Sequence, residues 1–132
     1  MGMKRPRPHQ VNAGDTFLVA RPYNHLYVVC SDPAVDPELV LIVNFTTFKP
    51  KEEDGCIVKP GEHPFIQQRS CIRYKDARIA RVKDLMVLVD RGQLSKREPV
   101  SEELLARIRG GASQSDFLPE ECRRFLRNQC LI

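Results

Sequence analysis

Residues 40–79 decide the fold. They read VLIVNFTTFKP, then KEEDGCIVKPGEHPFIQQ, then RSCIRYKDARI. Apolar runs alternate with Pro, Gly and charged punctuation, which is the pattern of short β-strands joined by turns. Leu39 to Phe45 is almost unbroken apolar sequence and predicts a strand covered on both faces. The punctuation holds Thr46, Thr47, Asp54, His63, Ser70, Arg73, Tyr74 and Arg78. Hydrogen-bonding and proton-transfer groups gathered beside short strands predict a surface site on a small β-domain.

Working outward, Ala13-Gly14-Asp15 reads as a turn into a strand from Thr16 to Ala20. A loop over Arg21 to Asn24 precedes a β-branched and aromatic strand, Leu26 to Cys30. Ser31 to Pro37 reads as an exposed connection. Cys56 to Lys59, Phe65-Ile66 and Ser70 to Tyr74 predict further strands, and Ala77 to Val82 a strand closing a barrel. The period then becomes helical. Val82, Leu85, Met86 and Val89 mark a helix to Asp90, stopped by Gly92. Ser101 is placed to cap a helix over Glu102 to Arg109, ended by Gly110-Gly111. Leu118 to Asn128 is a third helical segment. The expected fold class is mainly β: a small barrel with two or three C-terminal helices. It forms one domain over 13–132, behind a basic, Pro-rich arm at 1–12 expected to be disordered.

The chain has 132 residues and a net charge of +4, from 21 Lys+Arg against 17 Asp+Glu. This mild basicity tolerates a nucleic acid partner without demanding one. Its distribution is more informative. Arg69, Arg73, Lys75, Arg78, Arg81 and Lys83 crowd one span opposed by Asp76, and Lys4, Arg5 and Arg7 form a second cluster. That is the footprint of a phosphate-binding surface, or of a plain solvated face. The five cysteines are odd in number and irregular in spacing, with no CxxC pair. Free thiols in a reducing cytoplasm are the expectation, not a disulfide framework or a zinc ribbon. No apolar run reaches the ~20 residues that span a membrane, and no apolar segment follows the basic start as in a secretory signal.

Several residues carry candidate chemistry. His63, between a turn Gly and a Pro, is placed either to exchange a proton or to brace its turn. His25 opens the second strand, and pairing with His63 would give an acid–base pair. Thr46 and Thr47 end the most apolar strand and can orient a phosphate, or serve turn backbone. Arg73, on a regular strand, points the same way as Lys75, with Tyr74 opposite and in the core. Arg73 then stabilises phosphodiester charge, or pairs with Asp54 or Glu53. Arg69, Lys75 and Arg78 are candidate substrate contacts. Cys56 and Cys71 sit among apolar neighbours and read as core.

Gly14-Asp15-Thr16, a Val-Val-Cys-Ser strand, Val-Asn-Phe-Thr-Thr, and Arg73-Tyr74-Lys75-Asp76-Ala77-Arg78 together resemble the MazF/PemK-like toxins over roughly residues 13 to 110. The segment Gly-Glu-His-Pro-Phe-Ile with a following Ser-x-x-x-Tyr is also similar to a poorly characterised bacterial group of small proteins. The toxin resemblance implies an SH3-like barrel, a homodimer, a cognate antitoxin, and cleavage of single-stranded RNA without metal or other cofactor. In that family an Arg opening the second strand and a Thr ending the next carry catalysis. Thr46 or Thr47 matches the second position. The first departs from the pattern: His25-Leu26 stands where the family has Arg-Pro, and Arg21-Pro22 lies earlier.

The leading expectation is therefore a cytoplasmic, metal-independent endoribonuclease, the toxin of a type II toxin–antitoxin pair. His63, His25, Thr47 and Arg73 are its expected catalytic groups, and Thr46, Arg69, Lys75 and Arg78 its expected substrate contacts. The alternative is an SH3-like barrel that binds nucleic acid or protein without cutting. A third reading is a subunit docking through the Arg123, Arg124, Phe125, Arg127 helix onto an acidic partner.

Overall fold

The computed structural model describes residues 11–132. Six strands form: β1 Thr16–Val19, β2 Leu26–Val29, β3 Leu39–Thr47, β4 Ile57–Val58, β5 Ser70–Arg81 and β6 Leu94–Arg97. Three helices accompany them: α1 Val82–Asp90, α2 Glu102–Gln114 and α3 Glu120–Asn128. The strands make one antiparallel sheet in the order β4-β5-β3-β2-β1-β6, curled into a half-barrel.

β3 is the strand the sequence marks as doubly covered, and it is. Leu41, Val43 and Phe45 enter a core roofed by Leu104 and Ile108 of α2 and Cys122 and Leu126 of α3. Val40 and Ile42 enter a second core with Phe17, Leu94 and Leu85 of α1. Burying each such aliphatic side chain contributes about 1.5–3 kcal/mol, so both helical layers are fastened through this one strand. Val11, inside the expected arm, belongs to the second core. The rest of the expected basic arm lies outside the described residues.

The expected closing strand does not form. Ala77–Arg81 is the far half of β5 and pairs with β3 through Val40↔Ala80 and Leu39↔Arg81. Lys75-Asp76 looks like a break but is a bulge. Ile42 pairs with Arg78 and Asn44 with Arg73, so a step of two residues in β3 matches a step of five in β5. The extra length turns both Tyr74 and Ala77 inward and frees the Lys75 N–H, which donates to Glu53 Oε2 at 3.1 Å. Phe65-Ile66 is no strand either. Gly61 donates to the Ile66 carbonyl and Ile66 to that of His63, folding the segment into a compact turn.

β6 has no counterpart in the sequence reading. Only its Leu94 is buried, so an edge strand of polar residues offers no apolar alternation to detect. α2 runs past Gly110-Gly111 instead of ending there. The Tyr74 hydroxyl donates to the Ile108 carbonyl at 2.7 Å, so α2 lies close against the β5 bulge. A Cβ on Gly111 would overlap that hydroxyl and sit 2.8 Å from the Gly55 carbonyl oxygen. Gly111 thus admits the tyrosine and leaves the helix intact. Ser101 caps α2 as expected, accepting from Leu104 N–H at 3.1 Å.

α1 matches its sequence-predicted span, and α3 starts two residues later than its own. Arg123 of α3 turns inward and donates to the carbonyls of Ala112, Ser113 and Ser115. It satisfies the open end of α2, which has no basic residue in its own last turn. Among the described residues, no helix is long and apolar enough to cross a membrane.

Candidate functional site

Antiparallel register gathers strand ends, and here it gathers polar ones. β2 and β3 pair through Tyr27↔Asn44, and continuing that register sets His25 opposite Thr46. β3 and β5 end on the pair Thr47↔Ser70. Around this end of the sheet opens a cleft of 820 Å³. His25, Thr46, Thr47, His63, Ser70 and Arg97 line it, with the 64–68 loop along one side. His25 and Thr47 are exposed and Thr46 is half-buried. Four of the eight expected site residues thus meet in one cavity.

The two histidines are held very differently. His63 is 3% exposed. Its Nδ1 accepts from the Phe65 N–H at 3.1 Å, which leaves the ring proton on Nε2. That proton points at the Glu98 carbonyl oxygen, 2.5 Å from Nε2. Both nitrogens are consumed, so the ring has no lone pair or proton to offer a substrate. Its role is closure. Glu98 follows β6 at one edge of the sheet, and the His63 turn follows β4 at the other. The same carbonyl accepts from Thr16 Oγ1 at 2.7 Å, tying in β1. Arg107 of α2 reinforces the turn through Glu62 and the Ile57 carbonyl, and this pairing holds the Glu62 carboxyl below its ordinary pKa. A side-chain strap spans the gap that no ladder closes.

The expected cations lie elsewhere. Because of the bulge, Arg73 and Lys75 do not share a regular strand face. Arg73 Nε lies 3.6 Å from Glu52 Oε2 and 3.4 Å from Asp76 Oδ2, carboxylates other than the Asp54 or Glu53 weighed from the sequence. Lys75 is exposed beside the bulge. Arg69 stacks on Phe48, with its guanidinium carbon 5.0 Å from the ring centroid. Arg78 stacks on Tyr27 at 5.7 Å and lines a different groove. None of the four lines the cleft. The guanidinium that does is Arg97 of β6, opposite Thr16 in the β1 register. Arg97 leaves no signal in the sequence, because β6 buries only Leu94 and shows no apolar alternation. Glu98 is also in the lining.

The Gly14-Asp15-Thr16 turn is architectural. Gly14 has φ +86, a conformation that favours glycine. Asp15 is buried, accepts from the Asn12 N–H at 2.8 Å and pairs with Lys96 at 3.1 Å. The buried thiols fit the expectation of core cysteines. Cys30, Cys56, Cys71 and Cys122 are free and enclosed. Burial pushes Cys30 up to about 12 and Cys71 and Cys122 up to about 11. Such thiols hold no thiolate at neutral pH with which to attack a substrate.

No protein-family model and no curated protein matches the chain.

Proposed function

We propose that the protein is a MazF/PemK-like endoribonuclease that cleaves single-stranded RNA without a metal, as the toxin of a type II toxin–antitoxin pair. The half-barrel is read as the SH3-like fold of those toxins. One observation carries the proposal: His25 and the hydroxyls of Thr46 and Thr47 line one cleft with Arg97. His25 occupies the start of the second strand, where the toxins have an Arg, and Thr46-Thr47 end the next strand, as the toxin Thr does.

The chemistry follows from those side chains. A ribose 2′-hydroxyl attacks the adjacent phosphorus while His25, exposed in the cleft, takes its proton. Arg97 stabilises charge growing on the phosphorane oxygens, and the Thr47 hydroxyl donates to one of them. The bond to the 5′-oxygen breaks, and solvent at the open side of the cleft protonates that leaving oxygen. The products are a 2′,3′-cyclic phosphate and a 5′-hydroxyl. His63 braces the loop over the reacting groups, and Arg73 stays with its carboxylates.

Purified protein incubated with single-stranded RNA in EDTA tests this. Fragments ending in cyclic phosphate are expected, and intact RNA sinks the proposal. The locked His63 favours a second reading, a module that binds without cutting. Salt-sensitive RNA binding with no turnover is its signature.

A further inference from the structure

We propose that a second groove, on the α1 face of the sheet, is a track for unpaired nucleic acid bases. It lies across the β1–β2 turn from the cleft and encloses 730 Å³. Its floor is apolar, where Ile42 meets Leu85 and Leu88 of α1. Its rim carries Arg21, Arg78 and Arg81 against one carboxylate, Asp84. Two tyrosines stand among these cations. Arg78 already lies over the Tyr27 ring at 5.7 Å, and Tyr23 is 69% exposed.

That composition selects one ligand chemistry. Arginines on an apolar, aromatic-walled groove suit a polyanion whose planar groups stack. A double helix hides its base faces, so the occupant is a single strand. Phosphates meet Arg21 and Arg81 while bases stack on Tyr23 and on the Tyr27–Arg78 pair. The groove also gives Arg78 and Arg81 of the basic 69–83 span a place to act, since the cleft holds neither. Asn24 and His25 face the cleft and Arg21 and Tyr23 face the groove, so one strand rounds the turn and reaches both. Binding in the groove does not require that the cleft cut.

The experiment measures fluorescence anisotropy of a labelled single-stranded RNA of about twelve nucleotides, and of the same RNA annealed to its complement. The unpaired RNA is expected to bind roughly tenfold more tightly than the duplex. Tyr23→Ala is expected to weaken the unpaired RNA roughly tenfold, the effect of losing one stacked base. Arg81→Gln is expected to reduce the slope of log affinity against log salt by about 0.7, the loss of one single-strand phosphate contact. Both side chains are exposed, so unchanged thermal melting serves as the control for folding. Equal affinity for duplex and single strand, or two variants that bind like the parent protein, overturns the proposal. So does a failure to bind RNA at all. The two ideas fail separately: loss of cleavage in His25→Ala, by about 10²–10⁴-fold, leaves the groove standing, and loss of the single-strand preference in Tyr23→Ala leaves the cleft reading standing.

Discussion

The cleft end of the sheet and the bulge seam are equally polar in sequence and opposite in structure. At the cleft, His25, Thr46, Thr47 and Arg97 border open volume. At the seam, Arg73 lies against Glu52 and Asp76, Glu53 takes the Lys75 N–H, and Tyr74 takes the Ile108 carbonyl. The first set keeps hydrogen-bonding capacity for something outside the chain. The second set turns it inward, and spends most of it there, with Arg73 Nε and Glu53 Oε1 buried without a hydrogen-bond partner. What separates a site from a scaffold is which partners are already taken, and both outcomes occur along one stretch of chain, from Thr46 to Asp76. His63 sits between them, at the cleft wall but committed like a seam residue.

The largest effect that can break this contrast is kinetic. Under the proposed reaction, His25→Ala is expected to slow RNA cleavage by about 10²–10⁴-fold, the range for losing a general base. Arg73→Ala is expected to change the rate less than about twofold, because its half-buried ion pairs with Glu52 and Asp76 lie off the cleft. Single-turnover cleavage of one labelled RNA compares them. A rate that collapses in Arg73→Ala and survives in His25→Ala would exchange the roles of the two regions.

Stability gives the next test. His63→Ala removes a buried ring with two hydrogen bonds and is expected to cost about 3 kcal/mol. Chemical denaturation measures it, and an unchanged midpoint would mean that the ring braces nothing. Gly111→Ala probes the seam with two opposed terms. Alanine gains about 1 kcal/mol of helix propensity. Overlap with the Tyr74 hydroxyl and the Gly55 carbonyl costs about 3 kcal/mol. The net expectation is a loss of about 2 kcal/mol, partly recovered in the double variant with Tyr74→Phe, where the clashing oxygen is gone. A stabilised Gly111→Ala would show that α2 does not lie close against the bulge.

The contrast also explains what the sequence shows and what it hides. β3 and α1 are legible because periodicity and burial agree along their length, as in the alternate burial of Val40 and Leu41. Antiparallel pairing of neighbouring strands then brings His25 near Thr46, so half of the candidate site follows from local pattern and simple topology. The rest depends on long-range partners. Arg97 enters the cleft on a strand with one buried residue. The aim of Arg73 depends on a bulge that Lys75-Asp76 disguise as a turn. The second nitrogen of His63 is spoken for by a carbonyl 35 residues away. Gly110-Gly111 reads as a helix stop because the reason for the glycine, Tyr74, is on another element. Composition reports that a residue can bond, and only the tertiary structure reports with what.

The smallest predicted effect bears on Glu53, where the seam is least complete. Its Oε2 accepts from the bulge, but its Oε1 is buried without a hydrogen-bond partner. Burial raises its pKa above the ordinary glutamate value, while the backbone N–H groups of Lys75 and Tyr74 and the Lys75 and Arg73 charges pull it back. The folded state therefore holds this proton to higher pH than the unfolded chain does. The stability Glu53 contributes is full below the ordinary carboxylate pKa and is lost as pH rises through the folded value. At neutral pH the ionised side chain is a liability. Glu53→Gln keeps an oxygen for the Lys75 N–H and removes the buried charge. It is expected to match or exceed the parent protein at neutral pH, by up to about 1 kcal/mol. As pH falls toward the ordinary glutamate value, the parent protein regains its proton and the advantage shrinks. Denaturant midpoints at the two ends of that range decide it. A glutamine variant that is weaker at neutral pH would show that the seam needs the carboxylate charge, and that Arg73 and Lys75 hold it more firmly than burial resists it.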